Sequence, residues 1–365
     1  MPPTRETQEL PPLSVIHWGN FSGTVPMMRE PLGRHANPAY HDITSLTRDL
    51  RLVWPRAMAQ MQAMRKPYAW HKTARWSRAV EKAAISDGWI DPQIPIVFYQ
   101  TLAAPVLDPG HRYVIYTDRV AREGALENEA FRSTWGPGWE QREAEFLRRA
   151  SAILVMGPST ETALVDLYGI DPRRIEVIGA GPGTHVGPIG TEIETPTRLL
   201  FVGTNWHLKG GPEVLDAFAR ISSRYPDLEL VLAGSEPDRD LPERTTSMGR
   251  VPGPMMPELF ASSDVFVVPT YMEALGYSLL EALMHGLPAI GSTVGNQPWL
   301  IGNAGTTVRP GDVDELSAAL IDVLDNFTAY KERAVARATR LREEMTWERV
   351  ASSIVSLLVK PELGS

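Results

Sequence analysis

Cysteine is absent from this chain of 365 residues. The absence excludes disulfide bonds and metal sites built on thiolates. It leaves the cellular compartment undecided, because only a disulfide framework would have pointed to an oxidising one. The cytoplasm is therefore our default expectation.

Long apolar runs and an excess of positive charge are also missing. The chain has no run of about 18 apolar residues, the length at which a membrane-spanning helix becomes a candidate, and we expect no signal peptide before the fold. The formal net charge of −8 argues against a general nucleic-acid binder. Because a single core seldom organises so many residues, the length favours two domains.

The most informative stretch is residues 264–290, DVFVVPTYMEALGYSLLEALMHGLPAI. An apolar strand runs into a turn that carries Glu273, and a short glycine-containing connection opens a helix that carries Glu281. The helix ends at Gly286, a residue suited to a left-handed cap, and the next strand starts at once. This order of elements predicts a βαβ unit with two carboxylates at its ligand-facing end.

The start of that helix predicts an anion site. The N–H groups of Gly276, Tyr277 and Ser278 have no partner within the helix, so together with the helix dipole they suit a diphosphate. Glu273 would reach hydroxyl groups on one side of the diphosphate, and Glu281 would reach hydroxyl groups on the other. Sugar, diphosphate and ribose in this order describe a nucleotide sugar.

Both acids also have a purely structural interpretation. Ser278 and Glu281 fit the S-x-x-E pattern of a capping box. Glu273 could be a solvated acid in a turn. Short motifs carry a risk of false matches, so these alternatives stay open on the two acids alone.

The spacing of Glu273 and Glu281 resembles the E-x7-E signature of retaining glycosyltransferases of family 4, which have the GT-B fold. The resemblance implies an α/β protein with two Rossmann-like domains, whose parallel sheets face an interdomain cleft, and a C-terminal helix that crosses back to the first domain. It implies that Glu273 contacts the donor sugar and Glu281 the ribose diol. The loop with Leu275, Gly276 and Tyr277 would hold the diphosphate.

The segments around this unit extend the resemblance and also depart from it. GTNWHLKGG, after a strand at 198–202, resembles a family segment with an arginine and a lysine. Lys209 matches the lysine, a compact cation with three donors for phosphate, whereas Thr204 occupies the arginine position. Val251 lies in a turn like the one that meets the base of the donor in the family. Trp299 replaces an acid of a later segment.

The first half of the chain supplies the acceptor-side candidates. A strand at 13–18 leads into the glycine-bearing loop 19–24, which in the family lies beside donor phosphate and acceptor, and Gly23 is our candidate there. A later strand ends at Asp118, and a polar residue at the carboxyl end of a parallel strand points into the ligand cleft. Many family members have a histidine in this region, so Asp118 is our candidate catalytic group for the acceptor. Residues 119–137 predict a loop.

Residues 46–89 combine nine basic residues with four tryptophans and a methionine series at helical spacing. Such helices can lie on an anionic membrane surface or bind an anionic acceptor. The alternative, which we favour, is a pair of surface helices whose Met and Trp stripe belongs to the domain core. We therefore expect the cytoplasm as the location, with peripheral membrane contact through this stretch as the second interpretation.

The predicted organisation has a disordered terminus, an acceptor-side Rossmann-like domain, a nucleotide-sugar-binding Rossmann-like domain and a crossover helix. Their predicted ranges are 1–12, 13–190, 191–345 and 346–365.

The predicted function is hexosyl transfer from a nucleotide sugar to an unknown acceptor, which is a glycan, a lipid-linked compound or a small molecule. We expect no cofactor and no obligatory metal, because we interpret Asp238-Arg239-Asp240, which imitates a D-x-D metal motif, as a solvated loop. The departures at Thr204 and Trp299 favour a rival hypothesis, a degenerate GT-B protein that binds a nucleotide sugar or a partner enzyme without turnover. Another GT-B enzyme, such as an epimerase or phosphorylase, fits the paired acids less well.

Overall fold

The computed structural model describes residues 10–19, 24–46, 50–65, 69–101, 104–108, 110–191 and 195–359. Two parallel six-stranded sheets follow one another along the chain, with helices between their strands, which confirms the predicted α/β class. Pro12, which was assigned to a disordered terminus, already begins the first strand, and the rest of that terminus up to residue 9 lies outside the described residues. Gly23 lies outside them as well.

The first sheet has the order β2-β1-β3-β4-β5-β6, and all its strand pairs are parallel. Its central strands are apolar runs such as YVIYT, in which every residue is buried, as expected where helices cover both faces of a parallel sheet. The strands are β1 (Pro12–His17), β2 (Asn37–Asp42), β3 (Ile96–Tyr99), β4 (Tyr113–Thr117), β5 (Ala152–Val155) and β6 (Ile175–Val177).

Eight helices belong to this half of the described chain, and two of them overturn a prediction. The loop predicted at 119–137 is wrong, because α5 and α6 lie there. The Glu123 side chain accepts a hydrogen bond from the N–H of Val120 at 3.2 Å, a helix start without the usual Ser or Thr cap. The helices are α1 (Thr24–Gly33), α2 (Ile43–Leu46), α3 (Leu50–Ala63), α4 (Ala74–Ser86), α5 (Ala121–Glu127), α6 (Glu129–Ser133), α7 (Trp139–Arg149) and α8 (Pro158–Tyr168).

The second sheet has the order β12-β11-β10-β7-β8-β9 and is also parallel. Its strands are β7 (Arg198–Gly203), β8 (Glu229–Gly234), β9 (Thr245–Ser247), β10 (Val265–Val267), β11 (Ala289–Ser292) and β12 (Gly305–Val308). Its helices are α9 (Gly211–Ile221), α10 (Met256–Ala261), α11 (Tyr277–Met284), α12 (Gln297–Ile301), α13 (Val313–Asp325) and α14 (Phe327–Glu344). The domain boundary predicted at residue 190 falls in the strandless segment between β6 and β7.

The last helix, α15 (Trp347–Val359), returns to the first half of the chain. Its predicted apolar face is buried, and Glu348 lies 3.0 Å from the guanidinium of Arg34 and 2.7 Å from the ring of His35, just after α1. The Trp347 indole N–H donates to the carbonyl of Pro182 at 2.8 Å. The predicted crossover helix is therefore confirmed. One core cluster runs from the first sheet through α15 into the second.

Candidate functional site

The loop after β10 and the first turn of α11 form the centre of the site. Gly276 precedes the helix with a φ of 92°, a left-handed conformation that favours glycine. Gly295, with a φ of 55°, lies so close that a Cβ there would come within 2.1 Å of the carbonyl oxygen of Glu273. The close packing fixes the loop. The N–H groups of Gly276, Tyr277 and Ser278 have no acceptor among the described residues, as the sequence predicts.

Lys209 and Glu273 meet beside this helix start. The Lys209 Nζ lies 2.6 Å from the Glu273 Oε2, and the two side chains are only 19% and 15% exposed. Lys209 comes from the turn after β7, and its backbone continues through Gly210, which has a φ of 77°, directly into α9. The structure thus joins two predicted site residues that are 64 positions apart. A charge-assisted bond of this kind holds both groups in fixed positions.

Glu281 lies on the other side of α11 and is only 5% exposed. Its Oε1 accepts hydrogen bonds from the N–H and the hydroxyl of Thr184, at 2.8 and 3.0 Å. Burial raises the pKa of this carboxyl, and the bonds from Thr184 limit the rise. The capping-box interpretation is wrong, because Glu281 bonds to the interdomain segment and not to the start of its own helix. Both Thr184 bonds use Oε1, so Oε2 accepts no hydrogen bond from Thr184.

Tyr277 crosses to the first domain. Its hydroxyl lies 3.4 Å from the sulfur of Met156, beside a buried pair in which the Tyr99 hydroxyl donates to Thr24 Oγ1 at 2.7 Å. Burial raises the pKa of Tyr277 well above its usual value, so the ring stays neutral. Tyr277 therefore packs between the domains, and only its backbone faces the predicted diphosphate position. Leu275 is likewise buried in the core.

Asn296 connects the site loop to the first domain, and sequence reasoning missed it. Its Nδ2 donates to the carbonyl of Ala274 at 2.9 Å, and its Oδ1 accepts from the N–H of Ser159 at 2.9 Å. Ser159 lies in the first turn of α8. The N–H groups of a first turn normally donate to a side-chain oxygen of the helix's own N-cap residue. Gly157 leaves room for this contact, since a Cβ there would come within 2.3 Å of Asn296.

A cavity of about 210 Å³ lies at the carboxyl ends of β3 and β4 and is closed by Ala274 from the second domain. Asp118 lines it, as predicted for a residue at a strand end. Burial raises the pKa of Asp118 to about 6, although the Arg119 guanidinium and the Gln100 amide lower it. The carboxyl group is thus poised to change its charge near neutral pH.

Arg119 and Glu127 lie at a second contact with the loop that carries Glu273. The sequence did not indicate this contact, because residues 119–137 predict a loop. Their side chains pair at 2.6 Å and are 13% and 11% exposed. Burial raises the pKa of Glu127 to about 7, whereas the Arg119 charge and a hydrogen bond from the backbone of Glu273 lower it. The end of α5 therefore borders the loop that carries Glu273.

Other predicted residues lie apart from this group. Thr204 is exposed on the turn before Lys209. Val251 lines a different groove, together with Arg198 and Glu229 at the amino ends of their strands, so its role stays a prediction. Trp299 is half-buried and packs against the core.

Residues 238–240, which imitate a D-x-D metal motif, form contacts with neighbouring side chains of the protein. Asp238 accepts from the Trp206 indole at 3.0 Å and lies 2.8 Å from the His207 ring, while Arg239 pairs with Asp216 at 3.0 Å. In the parts of the chain that the structure describes, no three acidic or histidine side chains cluster in a way that suits a metal ion.

Several known proteins resemble this chain in sequence. A family model described as Glycosyl transferases group 1 matches residues 196–326. A glycogen synthase of Mycobacterium tuberculosis is 25% identical over 236 residues, 61% of this chain and 57% of the relative. A D-inositol 3-phosphate glycosyltransferase of Rhodococcus erythropolis is 27% identical over 296 residues, 73% of this chain and 65% of the relative. The chain thus spans less than two thirds of the length of these relatives.

Solved structures resemble the whole architecture. Sucrose-phosphate synthase from Thermosynechococcus elongatus superposes with a TM-score of 0.65 at 16% identity, over 95% of this chain and 98% of that one. WaaG, a glycosyltransferase involved in lipopolysaccharide biosynthesis, superposes with a TM-score of 0.65 at 14% identity, over 94% and 99%. At these identities the likeness establishes the fold. The chain therefore has the GT-B fold and resembles the family 4 glycosyltransferases, and its residues 196–326 match the Glycosyl transferases group 1 model.

Proposed function

We propose that this protein transfers a hexosyl group from a nucleoside-diphosphate sugar to an acceptor in the first domain, with retention of the anomeric configuration. The observation that carries the proposal is the ion pair of Lys209 and Glu273, 2.6 Å long, beside the free N–H groups at the start of α11. Retention rests on the E-x7-E resemblance, and proton NMR of the product would test it. An inverted product would contradict it.

Each group of the site has a separate role along the donor. The amides of Gly276, Tyr277 and Ser278 bind the diphosphate, and the helix dipole adds to their attraction. Lys209 stabilises the charge that the leaving diphosphate gains as the sugar becomes oxocarbenium-like, because a fixed cation needs no reorganisation at that moment. Glu273 orients the sugar. We propose that these groups make a metal ion unnecessary, so that transfer continues in the presence of EDTA.

Donor binding gives the most direct test. A ligand at a hundred times its Kd stabilises the fold by about 2.7 kcal/mol, so a thermal-shift screen of UDP-, GDP-, ADP- and dTDP-sugars should show one responsive nucleotide class. A panel in which no nucleotide sugar shifts the Tm contradicts the proposal.

Glu281→Gln should raise the KM for that donor and change kcat little, because the ribose is bound similarly in ground and transition states.

The rival is a protein that binds the donor without turnover. Thr204 is exposed and stands where the family has an arginine. Without that arginine, Lys209 is the cation that the described residues provide at the predicted diphosphate position, which favours the rival. Release of nucleoside diphosphate by the responsive donor, in the presence of an accepted acceptor, separates the two. Binding without release would support the rival.

Asp118 should control the pH dependence of transfer. We propose that its carboxylate accepts the hydrogen bond of the acceptor hydroxyl, so kcat/KM should fall as the pH drops below its pKa of about 6. Asp118→Asn should lower kcat/KM and remove the fall of kcat/KM at acidic pH.

The same carboxyl should affect stability. Its pKa is raised in the folded state, so the free energy of unfolding decreases as the pH rises through 6 and the group becomes charged. The variant should therefore show a higher Tm at pH 7, whereas a merely structural role predicts a lower one.

The basic tryptophan stretch has two faces in the structure. Trp76 is buried, as the core interpretation predicts. Trp54, Met61 and Met64 are instead 71%, 45% and 79% exposed, so the core interpretation is wrong for them. The adjacent groove of about 500 Å³ is lined by Arg75, Arg78 and Lys82, at helical spacing on α4. None of the helices in the described ranges is long and apolar enough to cross a membrane.

We propose that this face binds an anionic membrane surface peripherally. Each basic residue near such a surface contributes about 1 kcal/mol, so the double variant Arg75→Gln/Arg78→Gln should bind vesicles roughly thirtyfold more weakly. The measurement is cosedimentation with phosphatidylcholine vesicles that contain phosphatidylglycerol, and raised salt should weaken binding. Equal binding to vesicles without the anionic lipid would contradict the proposal.

A further inference from the structure

The cavity beside Asp118 contains a buried cation that the transfer chemistry does not use. Lys72 lines this cavity of about 210 Å³ and is only 9% exposed. Its Nζ donates to Thr134 Oγ1 at 3.0 Å and lies 3.9 Å from the centre of the Phe131 ring. Among the described residues, no carboxylate forms an ion pair with it. An ammonium group has three donors, and those that point neither at Thr134 nor at the Phe131 ring remain for a ligand.

Lys72 therefore lacks a direct countercharge. Burial lowers its pKa, and the charge of Glu143, which lines the same cavity without pairing with Lys72, partly offsets this effect. A buried cation without a partner is costly unless its charge is compensated. An anion in the cavity would supply that compensation.

Gln100 presents a second donor group in the same wall. Its Oε1 accepts from Thr117 Oγ1 at 2.9 Å. Its buried Nε2 lies close enough to Asp118 to lower the pKa of that carboxyl, but it makes no hydrogen bond of normal geometry in the described structure. Its backbone has a φ of 80°, which is uncommon for a residue other than glycine and is typical of strained positions at functional sites. The Arg119 Nε is also buried without a partner.

Most hydrogen-bond acceptors that line the cavity already have donors. Glu143 is fully buried, and its two oxygens accept from Thr101 and Tyr168 and share the N–H of Ala121. Asp118 is the one lining carboxylate that still has accepting capacity, within the part of the chain described. Free donors thus outnumber free acceptors, and the matching ligand is rich in acceptor oxygens.

We propose that the acceptor carries a phosphate or carboxylate group, which binds Lys72 and Gln100 while its reacting hydroxyl faces Asp118. This inference rests on the proposed glycosyl transfer and names its acceptor class. The cavity is smaller than the roughly 300–1,000 Å³ of drug-sized sites, so it accommodates a small anionic polyol or the anionic end of a larger acceptor.

Binding of matched small polyols to the full chain tests the proposal. Glycerol, glycerate and glycerol 3-phosphate differ in their anionic group, and ligand-observed NMR titrations give their Kd values. One charge-assisted hydrogen bond corresponds to about a ten- to hundredfold preference, so glycerate or glycerol 3-phosphate should bind at least about tenfold more tightly than glycerol. The tighter of the two identifies the carboxylate or the phosphate as the recognised group.

Variants locate the binding. Lys72→Met should abolish the preference for the anion, and Lys72→Gln provides the same test if the first variant does not fold. Arg148→Met, a loss of charge on the exposed face of α7, and Lys209→Met, a loss at the donor site, should both retain the preference. Equal binding of the three polyols, no binding by any of them, or a preference that survives in both Lys72 variants overturns the proposal. The donor thermal shift is a separate readout, so failure of the proposed function would appear in the wild-type protein whatever the polyols do.

Discussion

Lys209→Met should lower kcat by roughly 100- to 1,000-fold, the loss usually seen when one fixed stabilising group is removed from a developing negative charge. The ammonium lies 2.6 Å from Glu273, whose side chain lies beside Gly276 at the start of α11, so the variant removes the cation that we propose stabilises the leaving diphosphate. It also leaves the half-buried Glu273 without its partner. The measurement is the initial rate of nucleoside diphosphate release at saturating donor and acceptor.

His207→Ala is the matched control for that variant. His207 lies on the same turn, and its ring is 71% exposed and pairs with Asp238 at 2.8 Å, away from Glu273. We expect its kcat to stay within about twofold of wild type, because surface substitutions seldom disturb a site. If Lys209→Met kept the wild-type kcat, the cation would have no role in stabilising the leaving group.

The donor half of the site could be predicted because its residues lie in short continuous segments. Glu273 and Glu281 belong to one strand-turn-helix unit, whose turn residues are visible in the sequence. Lys209 stands just before a helix, at a position where local pattern and resemblance agree. The structure adds what no local pattern contains, the contact between Lys209 and Glu273.

The acceptor half could not be predicted in the same way. Lys72, Gln100 and Asp118 come from three separate segments, and only the tertiary fold brings them to one cavity. The prediction of a loop after Asp118 failed because α5 is short and its N-cap residue is Val120, which has no side-chain oxygen for a cap. Glu123 takes over part of that role through its carboxylate.

The coupling of the two domains was also invisible in the sequence. Asn296 supplies the cap of α8 from the other domain and at the same time holds the carbonyl of Ala274, next to Glu273. Glu281 bonds to Thr184 in the segment that joins the domains. Both contacts tie the donor loop to the position of the first domain, so the geometry of the site depends on the closure of the cleft.

Glu273→Gln should lower kcat by about ten- to a hundredfold, because one hydrogen bond to a charged group contributes roughly 1.5 to 3 kcal/mol. The amide keeps the size of the side chain but loses the charge that pairs with Lys209 at 2.6 Å. The donor sugar is then oriented less well in the transition state, so kcat and kcat/KM should fall together. Steady-state kinetics with the donor class found by thermal shift measures both constants.

Glu332→Gln is the control for this loss of a carboxylate, since Glu332 is exposed on α14 and its substitution should leave both constants unchanged. The contrast with Glu281→Gln then assigns the two acids. A kcat effect at Glu273 together with a KM effect at Glu281 places the sugar at the first acid and the ribose at the second. Wild-type rate and affinity in both variants would mean that the donor does not bind between them, and that the ion pair with Lys209 and the bonds to Thr184 only stabilise the fold.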